Sequence, residues 1–167
     1  PMRWASLMLA GELRVRIRAP REEDARDFLA AMRDSAGLHY PWVSSPQTRT
    51  GWRRYMRRLE RDSEMGFLVR RRHDDAICGV INLSAITYDA LCSAWISYFG
   101  VAGMDERGYM KEGMTLVSGY AFDELGLHRL EVRLEGYRPA RYEVTIPPTG
   151  EIDVPLRPFE RREGAIL

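Results

Sequence analysis

The sequence has few of the residues that build metal centres and disulfide frameworks. Its 167 residues include two cysteines and three histidines, and all five are scattered along the chain. Ligands so few and so dispersed predict neither a disulfide-stapled fold nor a zinc site. We therefore predict a protein without a metal, whose fold depends on an apolar core.

Long apolar runs and an excess of one charge are also missing. No apolar stretch approaches the roughly 18 residues that a membrane helix needs. The chain carries 25 basic and 24 acidic residues, for a net charge of +1. This balance gives no general attraction to DNA or to an anionic membrane. We predict a cytoplasmic protein, monomeric or homodimeric, that binds neither DNA nor a membrane.

The length and the pattern of apolar residues predict one domain, residues 1–167, that mixes strands and helices. Strands are predicted where apolar and polar residues alternate or where β-branched and aromatic residues cluster, and helices where apolar residues recur at helical spacing. The predicted strands are 13–17, 66–70, 77–83, 94–101 and 130–134. The predicted helices begin near residues 25, 50 and 108, with Thr50 as an N-cap and Gly126 as a left-handed stop. Residues 37–46 are predicted to form turns.

The second predicted helix has one strongly basic face. Five arginines lie on it or directly after it: Arg53, Arg54, Arg57, Arg58 and Arg61. The face is interpreted either as a solvated helix surface or as a docking patch for ribosomal RNA or an acidic peptide.

The segment most informative about chemistry is the predicted strand, glycine-containing loop and helix start around Gly108. The first turn of a helix leaves backbone N–H groups without partners and carries a positive dipole, so phosphates bind there. Arg107 adds a side chain that binds phosphate. A glycine before a helix can equally be a simple turn, so this pattern alone leaves both interpretations open.

Several motifs, in order, resemble the GNAT superfamily of acyl-CoA-dependent N-acetyltransferases, and within it the branch that acetylates the N-terminal alanine of ribosomal proteins (the Rim type). The resemblance covers about residues 12–135. The motifs are Arg16-Ile-Arg-Ala-Pro-Arg-Glu-Glu-Asp24, Leu38-His-Tyr-Pro-Trp-Val-Ser44, Gly66-Phe-Leu-Val69, Cys78-Gly-Val-Ile-Asn-Leu-Ser84, Ala94-Trp-Ile-Ser-Tyr-Phe-Gly100, Glu106-Arg-Gly-Tyr-Met-Lys-Glu-Gly113 and Leu125-Gly-Leu-His-Arg-Leu-Glu131.

The resemblance implies an α+β fold, in which a mixed, mostly antiparallel sheet is flanked by helices and splits near strands four and five. It implies acetyl-CoA as cosubstrate and an amine acceptor such as the N-terminus of a ribosomal protein. The implied cofactor-binding residues are Phe99, Gly100, Val101, Arg107, Gly108, Tyr109, Met110 and Lys111. Asp105 departs from the family pattern, which has glutamine or arginine there.

The resemblance also implies residues that bind the acceptor and move protons. Trp42, Asn82 and Ser84 are the candidates for acceptor binding. Glu112 is a candidate base, with a structural role as the alternative, and Ser97 and Tyr137 are further catalytic candidates. Direct attack of the amine on the thioester is the implied reaction, stabilised by a backbone N–H of the fourth strand.

Residues 136–157 depart from the family. Where the family has an asparagine-containing turn and a helix, this chain carries Pro147, Pro148 and Pro155 among alternating apolar residues, a pattern that resembles a β-hairpin of the PEGA type. The alternative to an active enzyme is therefore a catalytically impaired acetyltransferase scaffold that acts as a CoA-binding or interaction module.

Overall fold

A computed structural model describes residues 13–40 and 43–132 of the chain. One five-stranded sheet has the strands in sequence order, β1-β2-β3-β4-β5. The strands are β1 (Val15–Arg18), β2 (Met65–Arg71), β3 (Ile77–Thr87), β4 (Ser93–Gly100) and β5 (Arg129–Val132). The first three pairings are antiparallel, whereas β4 and β5 are parallel. The predicted mixed, mostly antiparallel sheet is confirmed.

Helices cover both faces of this sheet. The helices are α1 (Ala25–Asp34), α2 (Ala36–His39), α3 (Arg49–Arg58) and α4 (Tyr109–Gly119). Helix α4 continues into a wider turn, Tyr120–Glu124, and the chain then reverses at Gly126, whose φ of +66° only glycine adopts without strain. The predicted glycine stop is therefore confirmed.

One core layer lies between the sheet and helices α1 and α3. Phe28 of α1 and Trp52 of α3 are fully buried, with ring centroids 4.7 Å apart. They pack with Leu68 of β2 and Val80 of β3, which point to the same face of the sheet. This layer fixes α3 above β2 and β3.

The second core layer lies under α4. Its helix side is built from Val117 and Ala121, both fully buried. The sheet side is built from the residues that alternate with those of the first layer, including Val69, Ile81 and Ile96. Gly113 lets α4 approach closely, because a Cβ there would lie 2.7 Å from the side chain of Val69.

A buried network of charged side chains joins the turn before α1 to strands β1 and β2. The Asp24 carboxylate accepts two hydrogen bonds from Arg18, at 2.6 and 2.7 Å, and one from the Arg21 backbone N–H at 2.7 Å. The buried Arg70 of β2 donates a further bond at 2.9 Å. Burial raises the pKa of Asp24, but the bonds from Arg18 and Arg21 and the charge of Arg70 outweigh it, so the pKa lies below its usual value.

Two local expectations were wrong. The N-cap of α3 is Thr48, whose Oγ1 accepts a hydrogen bond from the Gly51 N–H at 3.1 Å, and Thr50 already lies inside the helix. Residues 36–39 form the short helix α2 where only turns were expected. Tertiary packing selects this helix, since its last residue, His39, is buried.

The arginine face of α3 is exposed to solvent, as expected of either interpretation. Arg49 pairs with Glu22 at 3.5 Å, and Arg58 pairs with Glu64 at 3.4 Å. Docking of RNA or an acidic peptide on this face stays a prediction.

Candidate active site

The end of β4 and the start of α4 form one corner of the molecule. Strand β4 ends at Gly100, and the following Val101 is buried, with its N–H donating to the Cys78 carbonyl at 2.9 Å. A loop over residues 102–108 then leads into α4. The predicted cofactor-binding residues, 99–101 and 107–111, are thus brought together by a single strand-loop-helix connection.

The first turn of α4 begins at a glycine in the left-handed conformation. Gly108 has φ = +78° and is the N-cap, so no side chain caps this turn. The first hydrogen bond into the helix runs from the Glu112 N–H to the Gly108 carbonyl at 3.1 Å. The preceding N–H groups of the turn have no intrahelical acceptor, which is the arrangement that binds a phosphate.

A cavity of about 350 Å³ lies along the end of β4 and reaches the start of α4. Its lining includes Tyr98, Phe99 and Gly100 from the strand and Met110 from the helix. The opposite side comes from α2 and the segment after it, with Leu38, His39 and Val43. An elongated ligand with an apolar arm and an anionic group fits a cleft with this lining and this uncapped helix start.

Asp105 lies in the loop and also lines the cavity. Its Oδ1 accepts a hydrogen bond from the Gly103 N–H at 2.9 Å, so the carboxylate stabilises the turn of the loop in which Asp105 lies. The next residue, Glu106, has φ = +57°, a strained value for a residue with a side chain.

His39 is a site residue that the sequence interpretation missed. Its ring is buried, and Nε2 lies 2.7 Å from the Gly100 carbonyl oxygen, while Nδ1 lies 2.9 Å from Ser45 Oγ. A carbonyl only accepts, so Nε2 carries the proton and donates to it. The ring also meets Phe99 edge-on at 5.2 Å between centroids. Its position inside the motif Leu38–Ser44 was the available signal.

Arg14, directly before β1, contacts the start of α4 through its backbone N–H and its guanidinium. Its backbone N–H donates to Glu112 Oε2 at 2.8 Å, and its Nε donates to Glu112 Oε1 at 2.7 Å. Its Nη2 donates to the Arg107 carbonyl at 2.7 Å. The guanidinium also lies over the Tyr109 ring, 4.9 Å from its centroid. The alternation of residues 13–17 gave no sign of this role.

The predicted acceptor residues on the sheet face helix α3. Asn82 is buried, and its Oδ1 accepts a hydrogen bond from the Tyr55 hydroxyl at 2.8 Å. The register pairs Asn82 of β3 with Ser97 of β4, so the two share this face. Ser97 is exposed and Ser84 is half-buried. Burial raises the pKa of the Tyr55 hydroxyl, which keeps it a hydrogen-bond donor.

The remaining predicted site residues are distributed as follows. Lys111 is exposed on the first turn of α4. Tyr109 is buried, with the Arg71 guanidinium 5.7 Å from its ring centroid in addition to that of Arg14. Trp42 and Tyr137 lie outside the described residues, as does the predicted hairpin at 136–157.

Two further features are absent from the described ranges, 13–40 and 43–132. No group of three or more histidine, cysteine, aspartate or glutamate residues there is arranged to hold a metal ion. No helix in this part of the chain has the length and apolar character to cross a membrane.

Comparison with known proteins agrees with this geometry. The family model for the acetyltransferase (GNAT) domain matches residues 14–135. A probable N-acetyltransferase, YjcK of Bacillus subtilis, is 42% identical over 77 residues, which cover 46% of this chain and 42% of that protein. The chain thus spans less than half the length of this curated relative.

Solved structures share the fold at low identity. A ribosomal-protein-S5-alanine acetyltransferase from Vibrio fischeri superposes with a TM-score of 0.63 at 19% identity, covering 71% of this chain and 69% of that one. RimJ of Mycobacterium smegmatis, in complex with CoA-disulfide, gives 0.64 at 21% identity, covering 71% and 61%. A spermidine N-acetyltransferase from Vibrio cholerae, in complex with CoA and spermine, gives 0.60 at 17% identity, covering 71% and 70%.

The matched family model spans most of the chain, and the solved acetyltransferase structures share its fold. The chain belongs to the GNAT family of acetyltransferase domains.

Proposed function

We propose that this chain transfers the acetyl group of acetyl-CoA to an amine, and that the acceptor is the α-amino group of a protein N-terminus, as for Rim-type enzymes. The observation that carries the proposal is the cleft of about 350 Å³ along Phe99 and Gly100, which ends at the uncapped first turn of α4. In coenzyme A the pantetheine arm, which carries the thiol, is joined directly to a diphosphate, so an extended arm along a strand and an anion at a helix start match two adjoining parts of one molecule.

In this proposal the pantetheine arm lies along residues 99–101 and pairs with the backbone like an added strand. The N–H groups of residues 107–110 bind the diphosphate. The guanidinium of Arg107, which is exposed, adds a charged contact. When bound, acetyl-CoA supplies the reactive thioester, and the protein's part is to hold its carbonyl beside the amine.

The neutral amine attacks the thioester carbonyl, the N–C bond forms, and the C–S bond breaks. The nitrogen, which is cationic after the attack, loses one proton, and the departing thiolate takes one up, so the products are a neutral amide and the CoA thiol. A backbone N–H of β4 stabilises the oxyanion that forms on the carbonyl oxygen. Ser97, exposed on β4, is the candidate to protonate the thiolate, and Tyr137 is the second candidate.

A protein N-terminus is favoured over a polyamine by the uncharged polar side chains that β3 and β4 turn toward α3, namely Asn82, Ser84 and Ser97. Amide and hydroxyl groups complement the peptide groups of an N-terminus, whereas a polyamine with several positive charges is bound best by several carboxylates. Trp42 is a further candidate for contact with the acceptor.

The direct test is titration calorimetry with acetyl-CoA, followed by an assay of thiol release. Peptides with an N-terminal alanine or serine, the same peptides with a blocked N-terminus, and spermidine are compared as acceptors. We expect micromolar binding and turnover only with free peptide N-termini. Absence of binding at millimolar acetyl-CoA would reject the proposal that this chain is an acetyltransferase. Binding without thiol release for any amine would favour the alternative of an impaired scaffold.

A further inference from the structure

We infer that Glu112 is a positioning residue that acts through Arg14 to hold the diphosphate-binding turn in its binding conformation, and that it is not the base that deprotonates the amine. The inference rests on the proposed function, because it concerns how the same turn binds CoA. It replaces the catalytic role that the family resemblance suggested for Glu112.

The first argument is that Arg14 occupies both oxygens of the carboxylate. Oε2 accepts the Arg14 backbone N–H at 2.8 Å, and Oε1 accepts Nε at 2.7 Å with Nη2 at 2.6 Å. Hydrogen bonds from a guanidinium to a carboxylate are charge-assisted and stronger than neutral ones. A substrate ammonium would have to compete with Arg14 to deliver a proton to this carboxylate.

The second argument is location. The backbone partner of Glu112 belongs to the residue that precedes β1, and β1 is separated from β4 by two strands. Neighbouring strands lie about 4.8 Å apart, so β1 is about 14 Å from β4. A general base must lie within hydrogen-bond reach of its proton or one water away. The thioester, which the proposed function places beside β4, is therefore beyond the reach of Glu112.

The third argument is what else the same guanidinium binds. Arg14 Nη2 donates to the Arg107 carbonyl at 2.7 Å, one residue before the N-cap. A Cβ added to Gly108 would lie 3.2 Å from this Nη2 atom. The guanidinium thus fixes the Arg107 carbonyl on the β1 side of the turn. A carbonyl oxygen turned instead toward the diphosphate would repel it, so this bond keeps the turn's N–H groups available to the anion.

The contacts form one unit, from Glu112 through Arg14 to Arg107. Glu112 neutralises the guanidinium and sets its orientation, and Arg14 in turn sets the peptide group of the binding turn. Removal of either side chain releases the same carbonyl. The two side chains should therefore be coupled, so that the effects of removing them are not additive.

The test compares Glu112→Gln, Arg14→Gln and the double variant with the unchanged protein. Each single variant is expected to weaken acetyl-CoA binding about tenfold, and the double variant no more than either single one. At saturating acetyl-CoA, kcat and its pH profile should stay within twofold of the parent. A kcat loss of roughly 10²-fold or more for Glu112→Gln, with the low-pH limb of the profile removed, would assign Glu112 as the base and overturn the inference.

A second ligand separates positioning from general damage. S-acetylpantetheine lacks the diphosphate, so kcat/KM with it should be the same for the parent and for Glu112→Gln. An equal loss with both acetyl donors would mean a fold defect and would also overturn the inference. Arg16→Gln is the matched control, because Arg16 lies on β1 and pairs with Asp75, away from α4. It should leave acetyl-CoA affinity unchanged.

The outcomes also separate this inference from the proposed function. If the parent protein binds no acetyl-CoA, the proposed function fails. If the parent binds and turns over acetyl-CoA but Glu112→Gln binds it equally well, only the positioning role of Glu112 fails.

Discussion

The imidazole of His39 donates a hydrogen bond from Nε2 to the carbonyl oxygen of Gly100 at 2.7 Å. This bond ties helix α2 to the end of β4, on the wall of the cleft. The Ser45 hydroxyl holds the other ring nitrogen at 2.9 Å, so the ring has one defined orientation.

We expect His39→Ala to weaken acetyl-CoA binding and to lower stability, because the Gly100 carbonyl and the Ser45 hydroxyl both lose a buried partner. A buried polar group left without its partner costs about 1–3 kcal/mol. Urea denaturation and calorimetric titration with acetyl-CoA measure the two effects. His73→Ala is the control, since its side chain is 82% exposed, and it should change neither. Equal behaviour of the two variants would show that His39 does not support the cleft.

Gly108→Ala should weaken acetyl-CoA binding, and it should do so more than a variant elsewhere in the chain that loses the same amount of stability. An L-residue in the left-handed conformation costs about 1–2 kcal/mol, and a Cβ at residue 108 would also lie 3.2 Å from Arg14 Nη2. Gly126→Ala is the matched control, because Gly126 also has a positive φ, +66°, and has open space around its Cβ position. Both variants should lose similar stability, and only Gly108→Ala should lose at least tenfold in affinity. An unchanged affinity would contradict the placement of the diphosphate.

Gly79→Ala is expected to destabilise the protein by about 1–3 kcal/mol, the usual range for overpacking. A Cβ at this position of β3 would lie 2.7 Å from the Phe99 carbonyl oxygen and would collide with the Met110 thioether. Gly37→Ala is the comparison, because no atom lies within 4 Å of its Cβ position in α2. Alanine favours a helix over glycine by up to about 1 kcal/mol, so Gly37→Ala should be neutral or stabilising. Denaturant midpoints distinguish the two.

Asp24→Asn should destabilise the protein by about 1–3 kcal/mol at neutral pH, because the buried Nη2 of Arg70 loses its charged partner while Asp75 still pairs with Nη1. Since the folded-state pKa of Asp24 lies below its ordinary value, the ionised carboxylate contributes stability above the unfolded-state pKa, and this contribution is lost as pH falls through the folded-state pKa. The difference between parent and variant should therefore shrink below about pH 4. Urea titrations at several pH values test this, and a difference that is constant down to pH 2 would contradict it.

Much of the fold could be predicted from the sequence, because periodicity reports which face of each element is buried. The alternation that ends at Ile17 predicted β1, and the helical spacing of Phe28, Leu29 and Met32 predicted α1. The glycine that ends the helix before β5 was predicted from the left-handed conformation that glycine readily adopts after a helix. The motifs also predicted that the end of β4, the loop and the start of α4 form one site, since these residues are contiguous.

Interactions between distant residues could not be predicted in this way. Arg14 is 98 residues from Glu112, and His39 is 61 residues from Gly100. In the sequence, Arg14 is an arginine on the polar side of an alternating strand, and His39 is an isolated histidine in a turn-rich stretch. The local apolar pattern distinguishes neither residue from one exposed to solvent, and the position of His39 in the motif Leu38–Ser44 does not indicate its partner.

The sequence by itself determined the order of strands and helices along the chain, their buried faces and the glycine before α4, because these depend on neighbours within a few residues. The tertiary structure alone decided that Arg14 meets Glu112 and that His39 meets Gly100. The physical reason is that such pairs arise from the packing of α4 and α2 against the sheet, and short-range periodicity carries no information about which side chains meet across it.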